Sequence, residues 1–149
     1  DKALPVFVSS FEMLNEVADT KDERVKSFLR KVWPGKITCV LLAPPKLRSE
    51  DRPVKKNGTI AVRIPNYDLV LKIIEKFGGP ITGTSANISG AGDIYNTKDA
   101  EAMFAGKTDQ PDIMLDFGQL PINLPTTIVD ATENKINILR QGELKITDV

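Results

Sequence analysis

Short apolar runs alternate with segments of helical periodicity, and this alternation constrains the fold more than any other feature of the sequence. Residues 4–8, 36–43 and 59–64 are rich in Val, Ile and Leu, which predicts buried strands. Helical spacing of apolar residues between these runs predicts helices up to Val17, up to Val32 and beyond residue 66. Such an order is typical of α/β and α+β folds, so we expect a central mixed sheet.

Capping patterns predict where the helices begin. Ser9 with Glu12 and Thr20 with Glu23 have the spacing of capping boxes, and Asn66 is predicted to cap the third helix. The inward face of that third helix is predicted to carry Leu69, Val70, Ile73, Ile74 and Phe77. The remaining predicted elements are a weaker helix at 97–104 and strands at 80–84, 112–117, 126–131 and 135–140.

Composition excludes several kinds of chemistry. The 149 residues contain one cysteine and no histidine, which excludes a Ser-His-Asp or Cys-His triad and a zinc site of histidines or several cysteines. Twenty basic residues balance twenty acidic ones, so net charge does not indicate a nucleic-acid or membrane partner. The single Cys39 suits a reducing compartment. We therefore expect a cytoplasmic protein with one domain over residues 1–149 and no metal site built from side chains.

Residues 84–90, Thr-Ser-Ala-Asn-Ile-Ser-Gly, form a segment of small polar residues directly after a predicted strand. Small residues allow backbone N–H groups to converge on an anion, and the side chains of Ser85, Asn87 and Ser89 can add hydrogen bonds. Gly90 allows the backbone to turn. A structural Asx or Ser turn is the simpler interpretation of the same residues, because such clusters mark loops in general.

Two arginines and one threonine are further candidates. Arg63 interrupts an apolar strand and Arg140 ends one, so each is either a solvated side chain or an anion contact. Thr126 begins a predicted strand, where a β-branched residue is favoured for structural reasons alone. A basic loop is either solvated or an RNA contact, and it contains Lys46, Arg48, Arg52, Lys55 and Lys56.

Five motifs together resemble the YrdC-like family, whose members make threonylcarbamoyl-AMP for tRNA modification. They are PGKIT at 34–38, AVRIP at 61–65, the segment at 84–90, PTTIVD at 125–130 and LRQG at 139–142. The resemblance covers essentially the whole chain, and Ser-Ala-Asn-x-Ser-Gly is its most specific part. It implies a YrdC-like α+β fold with a twisted mixed sheet flanked by helices.

The resemblance also implies an activity, that of a nucleotidyltransferase acting on L-threonine, bicarbonate and ATP. Such an enzyme releases pyrophosphate and passes its adenylate to partner proteins that modify tRNA, and Mg²⁺ normally accompanies the nucleotide. By the same resemblance, Ser85 and Asn87 are similar to the catalytic Ser-x-Asn half of a Lys-x-Arg and Ser-x-Asn constellation. The implied substrate- and nucleotide-binding residues are Thr38, Arg63, Ser89, Thr126 and Arg140.

One part of the family pattern has no match in the sequence. A Thr-x-Thr-x-Tyr-Gly-Leu-type segment followed by Lys-x-Arg is expected just before Asp1-Lys2-Ala3-Leu4-Pro5. We therefore expect a domain that is N-terminally incomplete relative to the family, either as part of a longer protein or as a divergent member without synthase activity. The alternative functions are a non-catalytic YrdC-like protein that binds double-stranded RNA or tRNA, and a carbamoyl-processing domain as in hydrogenase maturation factors.

Overall fold

A mixed six-stranded sheet is the centre of the fold. The computed structural model describes residues 4–47, 53–55 and 57–146. These residues form two compact units, one within Asp1–Gly83 and Leu124–Val149, the other at Thr84–Asn123. The sheet and three of the helices belong to the first unit, and the fourth helix belongs to the second unit.

The sheet has the strand order β4-β1-β3-β2-β5-β6. Pairs β1/β3 and β2/β5 are parallel, whereas β1/β4, β2/β3 and β5/β6 are antiparallel. This mixture confirms the predicted mixed sheet. The strands are β1 (Val6–Phe7), β2 (Ile37–Leu42), β3 (Thr59–Arg63), β4 (Ile81–Thr82), β5 (Thr127–Asp130) and β6 (Asn137–Arg140).

The helices are α1 (Phe11–Val17), α2 (Glu23–Val32), α3 (Asp68–Phe77) and α4 (Thr97–Phe104), and a 3₁₀ turn covers Pro45–Leu47. Each predicted helix is present, but the predicted caps of the first three are wrong. Ser10 and Asp22 cap α1 and α2, since their side chains accept hydrogen bonds from backbone N–H groups of the first turn. The N-cap of α3 is Tyr67, without a side-chain bond. No helix among the described residues combines the length and apolar composition needed to cross a bilayer.

The core lies where the two central strands meet the first two helices. Ile37 and Leu41 on β2 are fully buried together with Leu14 on α1 and Leu29 on α2. Burying each such side chain contributes about 1.5–3 kcal/mol. Trp33, directly after α2, belongs to the same cluster, and its indole N–H donates to the Ile37 carbonyl at 2.7 Å.

Two further predictions are wrong. Residues 112–117 do not form a strand, because no strand among the described residues pairs with them. Their side chains are exposed. On α3, Ile74 is buried as predicted, but Ile73 is exposed and the Phe77 side chain is 70% exposed. Leu71 packs against the core instead, so the buried face is rotated from the predicted one.

Candidate anion- and substrate-binding site

Four predicted site residues lie at the same end of the sheet, where strands β3 and β6 end and strands β2 and β5 begin. Strand β3 ends where the antiparallel strand β2 begins, and β5 begins there because it is parallel to β2. Strand β6 ends at this edge because it is antiparallel to β5. The topology therefore gathers residues that are distant in sequence, namely Thr38, Arg63, Thr126 and Arg140.

Two hydroxyl groups and one guanidinium form the middle of this edge. The Oγ1 atoms of Thr38 and Thr126 lie 3.2 Å apart and are hydrogen bonded. Thr38 is only 5% exposed and Thr126 is half-buried. The exposed Arg140 donates from NH2 to the Thr126 carbonyl oxygen at 2.9 Å. These groups can bind a ligand that carries both a hydroxyl and an anionic group.

Arg63 is a partly buried cation at the same edge. Its Nε donates to the Gly35 carbonyl oxygen at 2.7 Å, and its Cζ lies 6.0 Å from the centroid of the Phe7 ring. Burial lowers the pKa of Arg63 from its ordinary value, yet an arginine remains charged near neutral pH. Within the described part of the chain no carboxylate forms an ion pair with Arg63. A desolvated cation without an acidic partner favours an anionic ligand.

Glycines in two of the motifs are required by close backbone approach. A Cβ atom on Gly35 would lie 2.2 Å from the Val32 carbonyl oxygen, and one on Gly142 would lie 2.1 Å from the Pro125 carbonyl oxygen. Both distances are far below a van der Waals contact. The PGKIT and LRQG motifs thus contain glycine for a steric reason, and Gly35 in turn presents its carbonyl group to Arg63.

Thr127 is a residue that the sequence analysis missed. It is 0% exposed, and its Oγ1 donates to the Leu144 carbonyl at 2.6 Å and accepts from the Gly142 N–H at 2.9 Å. Lys36 and Glu143 form an ion pair beside it. These contacts fix the chain after β6 against the start of β5. Only its place in the PTTIVD motif distinguishes Thr127 in the sequence.

The segment at 84–90 belongs to the second unit and contains a structural turn. The Asn87 side-chain amide donates to the Ala91 carbonyl at 2.8 Å, and the Ala91 N–H donates to the Ile88 carbonyl at 2.9 Å. Gly90 has a φ of 87°, a left-handed conformation that favours glycine. The hydroxyl groups of Ser85 and Ser89 are on exposed residues, and neither has a side-chain hydrogen bond to any described residue.

The basic loop lies partly outside the described residues. Arg48, Arg52 and Lys56 fall there, whereas Lys46 is in the 3₁₀ turn and Lys55 precedes β3. The predicted RNA contact on this loop therefore stays a prediction.

Two surface clefts in the first unit lie elsewhere. A cleft of about 530 Å³ is lined by Glu133, Asn134, Lys135 and Asn137. A cleft of about 280 Å³ lies over Leu14 and Leu29, between α1 and α2. Neither includes a predicted site residue. We place the candidate site at the end of the sheet because the hydroxyl and guanidinium groups converge there.

The fold and this end of the sheet define an α/β domain in which hydroxyl and guanidinium groups from distant parts of the sequence meet. The sequence matches the Sua5/YciO/YrdC family, described as "Telomere recombination", over residues 1–142, and the chain belongs to this family. The predicted family and the YrdC-like fold are thereby confirmed.

Curated and solved relatives agree with this assignment. The threonylcarbamoyl-AMP synthase of Pyrococcus abyssi (strain GE5 / Orsay) is 32% identical over 150 residues, which cover 100% of this chain and 42% of the relative. The crystal structure of P. abyssi Sua5 complexed with L-threonine has a TM-score of 0.79 at 30% identity and covers 99% of this chain and 42% of that one. E. coli YciO, with a TM-score of 0.81 at 19% identity over 96% of this chain and 67% of its own, shows the fold alone. The chain thus spans 42% of the length of the P. abyssi relative.

Proposed function

We propose that the chain acts as a threonylcarbamoyl-AMP synthase domain in tRNA threonylcarbamoyladenosine modification. The observation that carries this proposal is the convergence of Thr38, Thr126, Arg140 and Arg63 at one end of the sheet. Support comes from the chain's similarity to a threonylcarbamoyl-AMP synthase and to Sua5 complexed with L-threonine. Hydroxyl groups and two guanidinium groups suit a hydroxylated amino acid and the phosphates of ATP.

The reaction has two bond-forming steps. The amine of L-threonine attacks the carbon of bicarbonate, and loss of water gives a carbamate. A carbamate oxygen then attacks the α-phosphorus of ATP, the bond to the β-phosphate oxygen breaks, and pyrophosphate leaves. The carbamate and the ATP phosphates are anionic, so positioning and charge neutralisation lower the barrier to the second step, and no covalent protein nucleophile is needed.

The residues of the first unit have proposed roles that follow from their chemistry. The Thr38 and Thr126 hydroxyls bind the threonine end of the ligand, since one of the pair can donate and the other accept. Arg63 and Arg140 contact the carbamate or phosphate oxygens, because guanidinium groups form charge-assisted hydrogen bonds with such anions.

The residues of the second unit have proposed roles carried over from the family motif. Ser85 and Asn87 are the proposed catalytic residues, and Ser89 is proposed to contact the nucleotide phosphates. The Asn87 amide nitrogen is bonded to Ala91, which orients the side chain and leaves its Oδ1 as the acceptor for a ligand.

Mg²⁺ is proposed to enter as part of the ATP substrate. Among the described residues no group of three or more His, Cys, Asp or Glu side chains could hold a metal ion. Mg²⁺ is commonly bound by substrate phosphates, waters and few protein ligands, so it can enter together with ATP. We further propose a cytoplasmic location and tRNA-modifying partner proteins that accept the adenylate.

A substrate-omission assay tests the proposal. The chain is incubated with magnesium–ATP, L-threonine and bicarbonate, pyrophosphate is measured, and threonylcarbamoyl-AMP is detected by mass spectrometry. Release should require both L-threonine and bicarbonate. Arg140→Ala should reduce it at least tenfold, because hydrogen bonds to charged groups contribute about 1.5–3 kcal/mol. Arg30→Ala, which removes another exposed arginine, on α2, should leave the release unchanged.

Direct binding separates this function from the alternatives. Calorimetry should detect L-threonine binding that Thr126→Val weakens. Absence of both L-threonine binding and threonine-dependent pyrophosphate release would overturn the proposal. Binding of double-stranded RNA that falls steeply with salt and ignores L-threonine would instead support the RNA-binding alternative.

A further inference from the structure

Phe7 lies on β1 between two paired neighbours. It stands opposite Arg63 in the parallel pair with β3 and opposite Ile81 in the antiparallel pair with β4. Side chains of directly opposed strand residues lie on the same face of a sheet and can touch. The ring of Phe7 accordingly lies under the guanidinium group, with Arg63 Cζ 6.0 Å from its centroid.

Gly83 lies against the Phe7 ring. A Cβ atom on Gly83 would lie 2.5 Å from Cε2 and 2.6 Å from Cζ of Phe7. The Gly83 N–H donates to the Pro5 carbonyl at 2.8 Å, which fixes the backbone at this place. The ring therefore occupies the space that any other residue at position 83 would need.

Arg63 is thus restrained on two sides. Its Nε is bonded to the Gly35 carbonyl oxygen, and its Cζ lies over the Phe7 ring, 6.0 Å from the centroid. In the described structure its terminal NH1 and NH2 groups form no ion pair. A guanidinium that is oriented before binding loses less side-chain freedom when an anion binds.

We propose that Phe7 is a positioning residue that holds the Arg63 guanidinium in its ligand-binding orientation, and that position 83 is glycine to accommodate the ring. The anion is the ATP phosphate or carbamate of the proposed function, on which this inference rests. Phe7 itself touches no reacting atom in this proposal. It acts through Arg63.

The first test replaces the ring without removing its apolar character. Phe7→Leu should weaken the affinity for magnesium–ATP, measured by calorimetry, about two- to fivefold, which corresponds to the loss of one cation–π contact of about 0.5–1 kcal/mol. Phe77→Leu is the matched control, because that ring is 70% exposed on α3 and lies over no cation that the structure describes. In the Arg63→Ala background, Phe7→Leu should have no further effect. Equal losses in both backgrounds would overturn the proposal.

A pair of glycines provides a second test with a built-in control. Gly83→Ala should displace the ring and weaken magnesium–ATP binding more than Phe7→Leu does. Gly79→Ala should not, because a Cβ there would lie 3.9 Å from the Phe77 ring, an ordinary contact. If Gly83→Ala impairs folding, the proposal is judged only from the effect of Phe7→Leu on magnesium–ATP affinity in the wild-type and Arg63→Ala backgrounds.

A readout without ligand separates this inference from the proposed function. The order of the Arg63 Nε–H group, measured by ¹⁵N relaxation, should fall in Phe7→Leu and stay unchanged in Phe77→Leu. Unchanged order in Phe7→Leu refutes the positioning role whether or not ATP binds. Reduced order in a protein that binds no magnesium–ATP confirms that Phe7 positions Arg63 and refutes the proposed function. Reduced order with unchanged magnesium–ATP affinity refutes the inference.

Discussion

Thr127→Val tests whether the buried hydroxyl of Thr127 fixes the segment after β6. Valine has nearly the same shape, so the substitution removes the hydroxyl with little change in packing. The Gly142 N–H then loses the acceptor it has at 2.9 Å. The Leu144 carbonyl loses its bond of 2.6 Å to Thr127 but still accepts from Gln141 Nε2 at 2.9 Å.

The expected cost follows from these partners. One amide group left without a partner costs about 1–3 kcal/mol, and the carbonyl that keeps a second donor adds little, so the free energy of unfolding should fall by about 2 kcal/mol. For a chain of this size, about 2 kcal/mol lowers the melting temperature by roughly 4–8 °C. Thr127→Ser keeps the hydroxyl and removes one methyl group, which should cost about 1 kcal/mol.

Urea unfolding followed by circular dichroism measures these values. Thr82→Val is the matched control, since Thr82 is an exposed threonine on the edge strand β4, and its change should stay within about 0.5 kcal/mol. The reasoning is refuted if Thr127→Val is as stable as the wild type, or if it is less destabilised than Thr127→Ser.

Three further predictions concern single residues. Asn87→Ala should reduce pyrophosphate release at least tenfold while changing the free energy of unfolding by less than about 1 kcal/mol, because its amide serves only an exposed turn; a parallel loss of both would contradict the catalytic role. Arg140→Ala should raise the calorimetric Kd for magnesium–ATP at least tenfold, given about 1.5–3 kcal/mol per charged hydrogen bond, and an unchanged Kd would remove it from the site. Burial raises the pKa of the Cys39 thiol to about 12, so native protein at pH 8 should resist a thiol reagent that labels it once unfolded; labelling at the rate of a free thiol would contradict this. The unfolded thiol, with its ordinary pKa of 9.0, ionises first as the pH rises towards about 12, so this group should make folding progressively less favourable over that range.

Local periodicity was sufficient to predict most elements of the first unit. Strands β2 and β3 are mostly apolar because they are buried in the middle of the sheet, and such segments are recognisable in any sequence. The strand expected at 112–117 failed because a strand exists only when a neighbour pairs with it, and an apolar run alone does not supply one. The caps of α1 and α2 failed by one or two positions because Ser9 and Ser10, and likewise Thr20 and Asp22, are all residue types that can cap a helix.

The candidate site was only partly predictable. Arg63 and Arg140 were candidates because a cation in or beside an apolar strand is unusual, but the sequence left a solvated side chain as an equal alternative. The parts played by Phe7, Gly83 and Thr127 were missed. A phenylalanine within a strand, a glycine that follows a strand and a second threonine at the start of a strand are all ordinary residues at such positions. Their importance depends on contacts with residues that are distant along the chain.

The sequence by itself determined the type of chemistry open to this protein and the approximate order of its elements. The sequence has no histidine and a single cysteine, so the groups available for chemistry are hydroxyl, amide, guanidinium, amino and carboxylate groups. This restriction follows from composition alone. The tertiary structure alone decided which of these groups meet. Thr38 and Thr126 are hydrogen bonded because β2 and β5 are parallel neighbours, and strand pairing across long sequence separations is set by the packing of the whole sheet.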